Sequence, residues 1–301
     1  MNTEEKSKLR GILITASGSA CWGMSGCFGQ YLLQNCGVSS DWLVCMRLIF
    51  AGILLMLIGF FREGKALFEI FRHKEDMIKL LIFSLIGVLF SQWLYFLAIE
   101  YSNAGTATVL QATAPVFILF AICVSKKLLP TKIEAVALLG VLAGTTLLTT
   151  HGDFSTMQVS PSVLFFGLGA AVAVAFYNMS SASLMRKYST YCVVGFGMLI
   201  AAVPMSILSK PWQVPFPSDP FALLMLAGVI LIGTAVAYSL YLYGVSKVGP
   251  FLGSLLASVE PITAILFSAL FLNTSFHPLD FVGFLLVLSM VTLLSVQTKP
   301  V

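Results

Sequence analysis

The chain is short of charge. Only 10% of its 301 residues are Asp, Glu, Lys or Arg, against 58% hydrophobic residues, and mean hydropathy is +0.95. A soluble domain of this length has no use for so much apolar surface, so the composition excludes that class and points to a polytopic helical membrane protein. Histidine is scarce as well. His73, His151 and His277 all fall between apolar spans, with no HExxH pair among them. The six cysteines form no CxxC and no metal-ligand spacing. Cys21, Cys27, Cys45, Cys123 and Cys192 sit inside apolar spans, where packing is their ordinary use, and only Cys36 falls in a turn. No GxxxxGK[ST] loop is present to bind a nucleotide. No metal, cofactor or nucleic acid is therefore expected, and loop asymmetry accounts for the net charge of +4.

What is there is a series of apolar runs. They predict ten transmembrane helices, at about 11–33, 41–61, 77–100, 103–124, 133–150, 162–185, 191–208, 221–245, 249–272 and 279–296. The first is too long, and lacks the cleavage end, to be a removed signal peptide. Ser40 or Asp41 is the expected cap of the second. The segment 62–76 is the longest charged loop, 149–161 joins the two halves, and 211–220 is rich in proline. With the N-terminus placed in the cytoplasm and sides alternating, fifteen of the seventeen basic residues lie inside. Only Lys210 falls outside, and Arg47 lies within a helix. That asymmetry predicts both termini in the cytoplasm of a multi-pass plasma-membrane protein.

The chain also repeats itself. A constant offset of 146 aligns 85–149 with 231–295 without a gap. It pairs Gly87 with Gly233, Leu94-Tyr95 with Leu240-Tyr241, Pro115 with Pro261, and Thr146-Leu147-Leu148 with Thr292-Leu293-Leu294. The expected domains are 1–150 and 151–301, five helices each. An odd number of spans makes the second unit enter the membrane from the opposite side, so the expected fold is all-α, two inverted five-helix repeats. Secondary transporters with this architecture hold their site near the midplane between the halves.

One stretch differs between the copies. The ninth predicted helix carries Glu260 at mid-span, followed by Pro261, where the fourth has Ala114 before Pro115. A carboxylate there lies roughly 15 Å up a core of about 30 Å. It is costly unless it faces a cavity, a partner or a solute route. It can couple transport to protons, contact a cationic solute, or pin the kink by bonding a neighbouring helix. Arg47 lies roughly 9 Å inside the outer end of its helix, where snorkelling is the plain expectation and binding a solute carboxylate the alternative. The depth difference disfavours a direct Arg47–Glu260 ion pair. Aromatic and amide residues deep in the spans complete the candidate cavity: Trp22, Gln92, Trp93, Gln111, Tyr177, Asn178, Tyr238 and Tyr241. Tyr238 and Tyr241 share a helix face, Tyr243 points elsewhere, and Tyr177 and Asn178 cannot face the same way. A small stripe recurs at spacing four, Ala104, Thr108 and Ala112 against Pro250, Ser254 and Ser258, and reads as a packing seam between the halves. Pro115 and Pro261 are the expected hinges.

These features resemble a known family. Residues 98–115 (AIEYSNAGTATVLQATAP) and 244–261 (GVSKVGPFLGSLLASVEP) are similar to the two signatures of the drug/metabolite transporter superfamily, EamA branch, and the resemblance covers almost the whole chain. Where that family often has an acid after the fourth and ninth helices, this chain has Lys126-Lys127 and Leu272-Asn273. The resemblance implies export of small metabolites, often amino acids or amphipathic compounds, through a cavity between the halves. The expected function is thus a secondary transporter working by alternating access, with a small solute, the lipid bilayer and protons as partners. A non-transporting scaffold or a membrane-embedded enzyme is the alternative, and monomer or homodimer is left open.

Overall fold

The computed structural model describes residues 3–102, 104–127, 129–150, 153 and 160–272, together with 278–279, 282–283, 285–286, 289–290 and 293. Among these residues the chain is helical, with no strand. The helices are α1 (Thr3–Asn35), α2 (Ser40–Glu63), α3 (Lys74–Tyr101), α4 (Ala104–Gln111), α5 (Ala114–Lys126) and α6 (Lys132–Thr150). After the joining segment come α7 (Pro161–Met185), α8 (Thr190–Ser209), α9 (Pro220–Val248), α10 (Pro250–Leu256) and α11 (Val259–Leu272). Among the described residues five helices are long and apolar enough to cross a membrane: Ser40–Arg72, which adds a 3-10 segment to α2, and α3, α7, α8 and α9. His151, His277 and most of the predicted tenth helix lie outside the described residues.

Short polar side chains start several helices. Ser39, Ser160, Ser189 and Asp219 each accept from a backbone N–H in the first turn that follows, satisfying donors that the helix leaves orphaned. The cap of α2 is therefore Ser39, one residue before the expected pair. Ser40 and Asp41 are occupied elsewhere: the Ser40 N–H donates to Glu100 Oε2 at 3.2 Å, and Asp41 Oδ1 accepts from Trp93 Nε1 at 2.6 Å.

The predicted fourth and ninth helices are not continuous. Each breaks within one residue of the same place in the repeat, between α4 and α5 at 112–113 and between α10 and α11 at 257–258. The cause is local. A proline has no N–H to give the carbonyl four residues back, and for Pro115 and Pro261 those carbonyls belong to Gln111 and Ala257. The chain tightens there instead, with Thr113 N donating to Leu110 O at 3.2 Å, and Ser258 N to Leu255 O at 3.0 Å.

The packing between the halves follows an exchange rule. α1 packs on α9 as α7 packs on α3; α1 packs on α11 as α7 packs on α5; α2 and α8 pack on each other. The first half of each broken helix lies against the second half of the other, α4 on α11 and α10 on α5. Close approach is set by two glycines, each inside a π-helical turn (Phe83–Val88 in α3, Leu231–Val236 in α9). A Cβ on Gly87 would lie 2.6 Å from Tyr177 Cβ, and one on Gly233 would run into the Ser25 side chain. The surface is apolar, with Phe61, Phe165, Ile207 and Leu224 among the exposed residues, as lipid requires, while Arg47, Gln92, Asn178 and Glu260 are buried.

Polar contacts tie the ends. Asp76 accepts from Lys187 Nζ at 3.1 Å and from the Tyr188 hydroxyl at 2.8 Å, and Ser189 Oγ donates to Glu63 Oε2 at 2.7 Å. Burial and the Asp76 carboxylate push the Tyr188 hydroxyl up to about 12.

Gly87→Val and Gly233→Val are expected to force the paired helices apart at a cost of about 1–3 kcal/mol each. Thermal unfolding in detergent reads this directly; an unchanged melting temperature would show that these helices part freely.

Candidate functional site

The two helix breaks face one cavity of about 50 Å³, lined from both halves. That is room for a few water molecules. Gln111, Ala112 and Ala114 line it from the first break, and Ala257, Ser258, Glu260 and Pro261 from the second. Glu260 lies in the first turn of α11 and is buried at 7% exposure. The unpaired N–H groups of a helix start carry partial positive charge, which favours a carboxylate there. The matching position at the start of α5 is Ala114, so the second break carries an acid where the first has none.

Arg47 enters the same cavity from α2 and is buried at 3% exposure. Snorkelling, the expectation from its depth, is overturned. Its Nε donates to Thr234 Oγ1 at 3.0 Å, its Nη2 donates to Gly233 O at 3.3 Å, and the guanidinium carbon stands 4.8 Å from the Phe96 ring centroid. Thr234 in turn donates to Val229 O, five residues back, at 2.7 Å. The wide π turn of α9 thus presents a hydroxyl and a carbonyl side by side to a cation from the other half. A cation with hydrogen-bond acceptors and an aromatic face has no need to reach the interface. No ion pair joins Arg47 to Glu260 among the described residues.

The remaining walls are aromatic and polar. Trp22 meets Tyr238 at 5.0 Å between ring centroids, and Tyr177 lies 5.9 Å from Tyr238. The Tyr95 hydroxyl shares a hydrogen bond with Thr108 Oγ1 at 3.2 Å. Among the described residues the buried Gln92 amide has no partner for its oxygen or its nitrogen, and the hydroxyls of Ser25 and Ser258 likewise have none. Each such group costs about 1–3 kcal/mol if left dry, so three of them around one cavity mark a surface suited to polar company.

Seven of the ten residues expected in the cavity line it: Trp22, Arg47, Gln92, Gln111, Tyr177, Tyr238 and Glu260. Three do not. Tyr241 stands behind the wall, its ring 4.5 Å from that of Trp22. The Asn178 amide turns to its own helix and donates to Val174 O at 3.0 Å. Trp93 is drawn off by Asp41. Pro261 lines the cavity; the Pro115 side chain lies outside what the structure describes. Ser25, Ser91, Tyr95, Phe96, Thr108 and Ser258 are lining residues that the sequence reading did not assign to the cavity. Thr108 and Ser258 belong to the stripe read as a packing seam, and that reading is corrected for these two. Their hydroxyls could have signalled it, since a pure seam is served as well by alanine.

The EamA-like transporter family model matches residues 9–150 and again 161–296. The chain belongs to the EamA family. Among similar proteins, an uncharacterized inner membrane transporter, YicL of Salmonella typhimurium, is 35% identical, covering 97% of both chains. The uncharacterized transporter YetK of Bacillus subtilis is 26% identical over 92% of this chain and 84% of its own. A crystal structure of another protein matches with a TM-score of 0.73 at 14% identity, covering 98% of this chain and 96% of that one, a likeness of fold alone. This EamA member is a multi-pass membrane transporter, whose partners are a small-molecule solute and the bilayer.

Thr234→Val is expected to leave the buried guanidinium short of an acceptor, lowering stability by about 1–3 kcal/mol, while Thr234→Ser retains the bond. Melting temperatures of the two in one detergent check this; equal values would mean that Thr234 does not hold Arg47.

Proposed function

We propose that the protein is a secondary transporter of small organic solutes, amino acids and related metabolites foremost, working by alternating access through the cavity between its halves. One observation carries the reading. Two buried ionisable side chains, the base Arg47 from the first half and the acid Glu260 from the second, line the same small cavity without an ion pair between them among the described residues. A structural pair would close on itself; separated charges around a cavity suit a polar solute.

The reading extends to architecture. Ten spans in two inverted five-helix repeats, 1–150 and 151–301, agree with the exchange of contacts between halves and with the first-half-on-second-half packing of the broken helices. The two segments matched by the family model fall on the same division. Rocking of one half against the other would open the cavity to each side in turn, with Pro115 and Pro261 as hinges where the helices already lack a backbone bond. The basic-residue asymmetry supports a cytoplasmic location for both termini. Glu260 is the coupling candidate: it sits in the cavity, where it can exchange a proton with whichever side is open.

Uptake and efflux of amino acids and amphipathic metabolites in proteoliposomes, with and without a pH gradient, test the function. Wild type is expected to move at least one solute, and Glu260→Gln to lose the pH-driven part. A mutant equal to wild type would make Glu260 structural. A folded protein that moves nothing under any gradient would favour the scaffold alternative. For the orientation, a fluorescent protein fused to the C-terminus is expected to fluoresce and a periplasm-dependent phosphatase there to be inactive; the opposite pair of results would reverse it.

A further inference from the structure

We infer that Arg47 is the recognition residue for a carboxylate on the solute, and that the cavity selects small solutes bearing a single carboxylate. This rests on the solute-cavity reading above and adds the chemistry of the ligand.

The argument begins with the donors of Arg47. A guanidinium has five N–H donors in a rigid planar fork. The structure spends one edge of that fork on α9, with Nε on Thr234 and Nη2 on Gly233. Phe96 supports the guanidinium from its face. The end of the fork that carries Nη1 makes no hydrogen bond among the described residues, yet the residue is 3% exposed and lines the cavity. Such an end matches a carboxylate, which takes two parallel N–H bonds. Because one edge is already fixed, little side-chain freedom is lost on binding. Lysine would offer a point charge with no such edge.

Charge balance narrows the class. Among the described lining residues there is one cation, Arg47, and one carboxyl, Glu260. A solute with one carboxylate and one amine leaves the cavity neutral, and a lone carboxylate does so when Glu260 holds a proton. A phosphate dianion leaves an excess of negative charge in a space too small to hydrate it. The unpaired Gln92 amide and Ser258 hydroxyl, 4% and 2% exposed, add neutral donors and acceptors on the same walls.

The test compares acids with their amides. Alanine, leucine and phenylalanine, each beside its carboxamide, are titrated onto the full-length protein in nanodiscs, and the same six compounds are assayed for flux in proteoliposomes. At least one acid is expected to bind about tenfold or more tighter than its amide, the size of a lost charged hydrogen-bond pair. Arg47→Gln is expected to remove that preference, and Arg47→Lys, which keeps the charge without the fork, to remove most of it. If Arg47→Gln does not fold, Arg47→Lys and the wild-type ratio carry the test. Three results overturn the inference: no acid binds, acid and amide bind equally, or the preference survives in the variants. Flux separates the two readings. Amides carried as well as acids would remove carboxylate recognition and leave transport standing. Acids that bind selectively but never cross would leave recognition standing and remove transport.

Discussion

The architecture depends on two backbone hydrogen bonds that the chain cannot make. Pro115 and Pro261 have no N–H for the carbonyls of Gln111 and Ala257, and the helices part there, Ala257 O accepting from Glu260 N at 2.9 Å instead. In hydrocarbon an unpaired backbone group is costly, so a broken helix survives at membrane depth only where protein or a polar cavity takes up the loose ends. The two breaks face one cavity, and its position follows from where the two prolines stand in sequence.

Around that constraint the molecule is built twice and furnished once. The scaffold obeys the offset of 146: Gly87 and Gly233 allow the same close approach, to Tyr177 and Ser25 respectively. The chemistry does not. Gln92 stands opposite Tyr238, Gln111 opposite Ala257, Ala112 opposite Ser258, and Ala114 opposite Glu260 in the two copies. A cavity lined by identical halves would offer a solute two equivalent poses. The lining here is unequal, with a cation on one wall and an acid on another.

The π turns connect scaffold to chemistry. A wide turn offers a backbone carbonyl sideways, and in α9 Thr234 adds its hydroxyl beside it. Arg47 crosses from the other half to take both. Bonds that cross between the two halves therefore also aim Arg47, the only cationic side chain among the described lining residues.

Much of this was written in the chain. Composition decided that the protein lives in a bilayer, because 58% hydrophobic residues leave no other solvent. The gapless repeat and its two prolines decided where the helices break, since a missing N–H acts within four residues, and Glu260 stood out as the acid the other copy lacks. What only the tertiary structure decided lies in contacts between distant segments. Arg47 looked placed to reach the interface, and a π turn 186 residues away holds it in the interior. Trp93 looked like cavity wall, and Asp41 drew it off. Thr108 and Ser258 looked like seam, and the crossing of the broken helices turned them inward. A sequence displays spacing along one helix, which fixes faces. Which face meets a cavity, a neighbour or lipid is set by how the other helices pack against it.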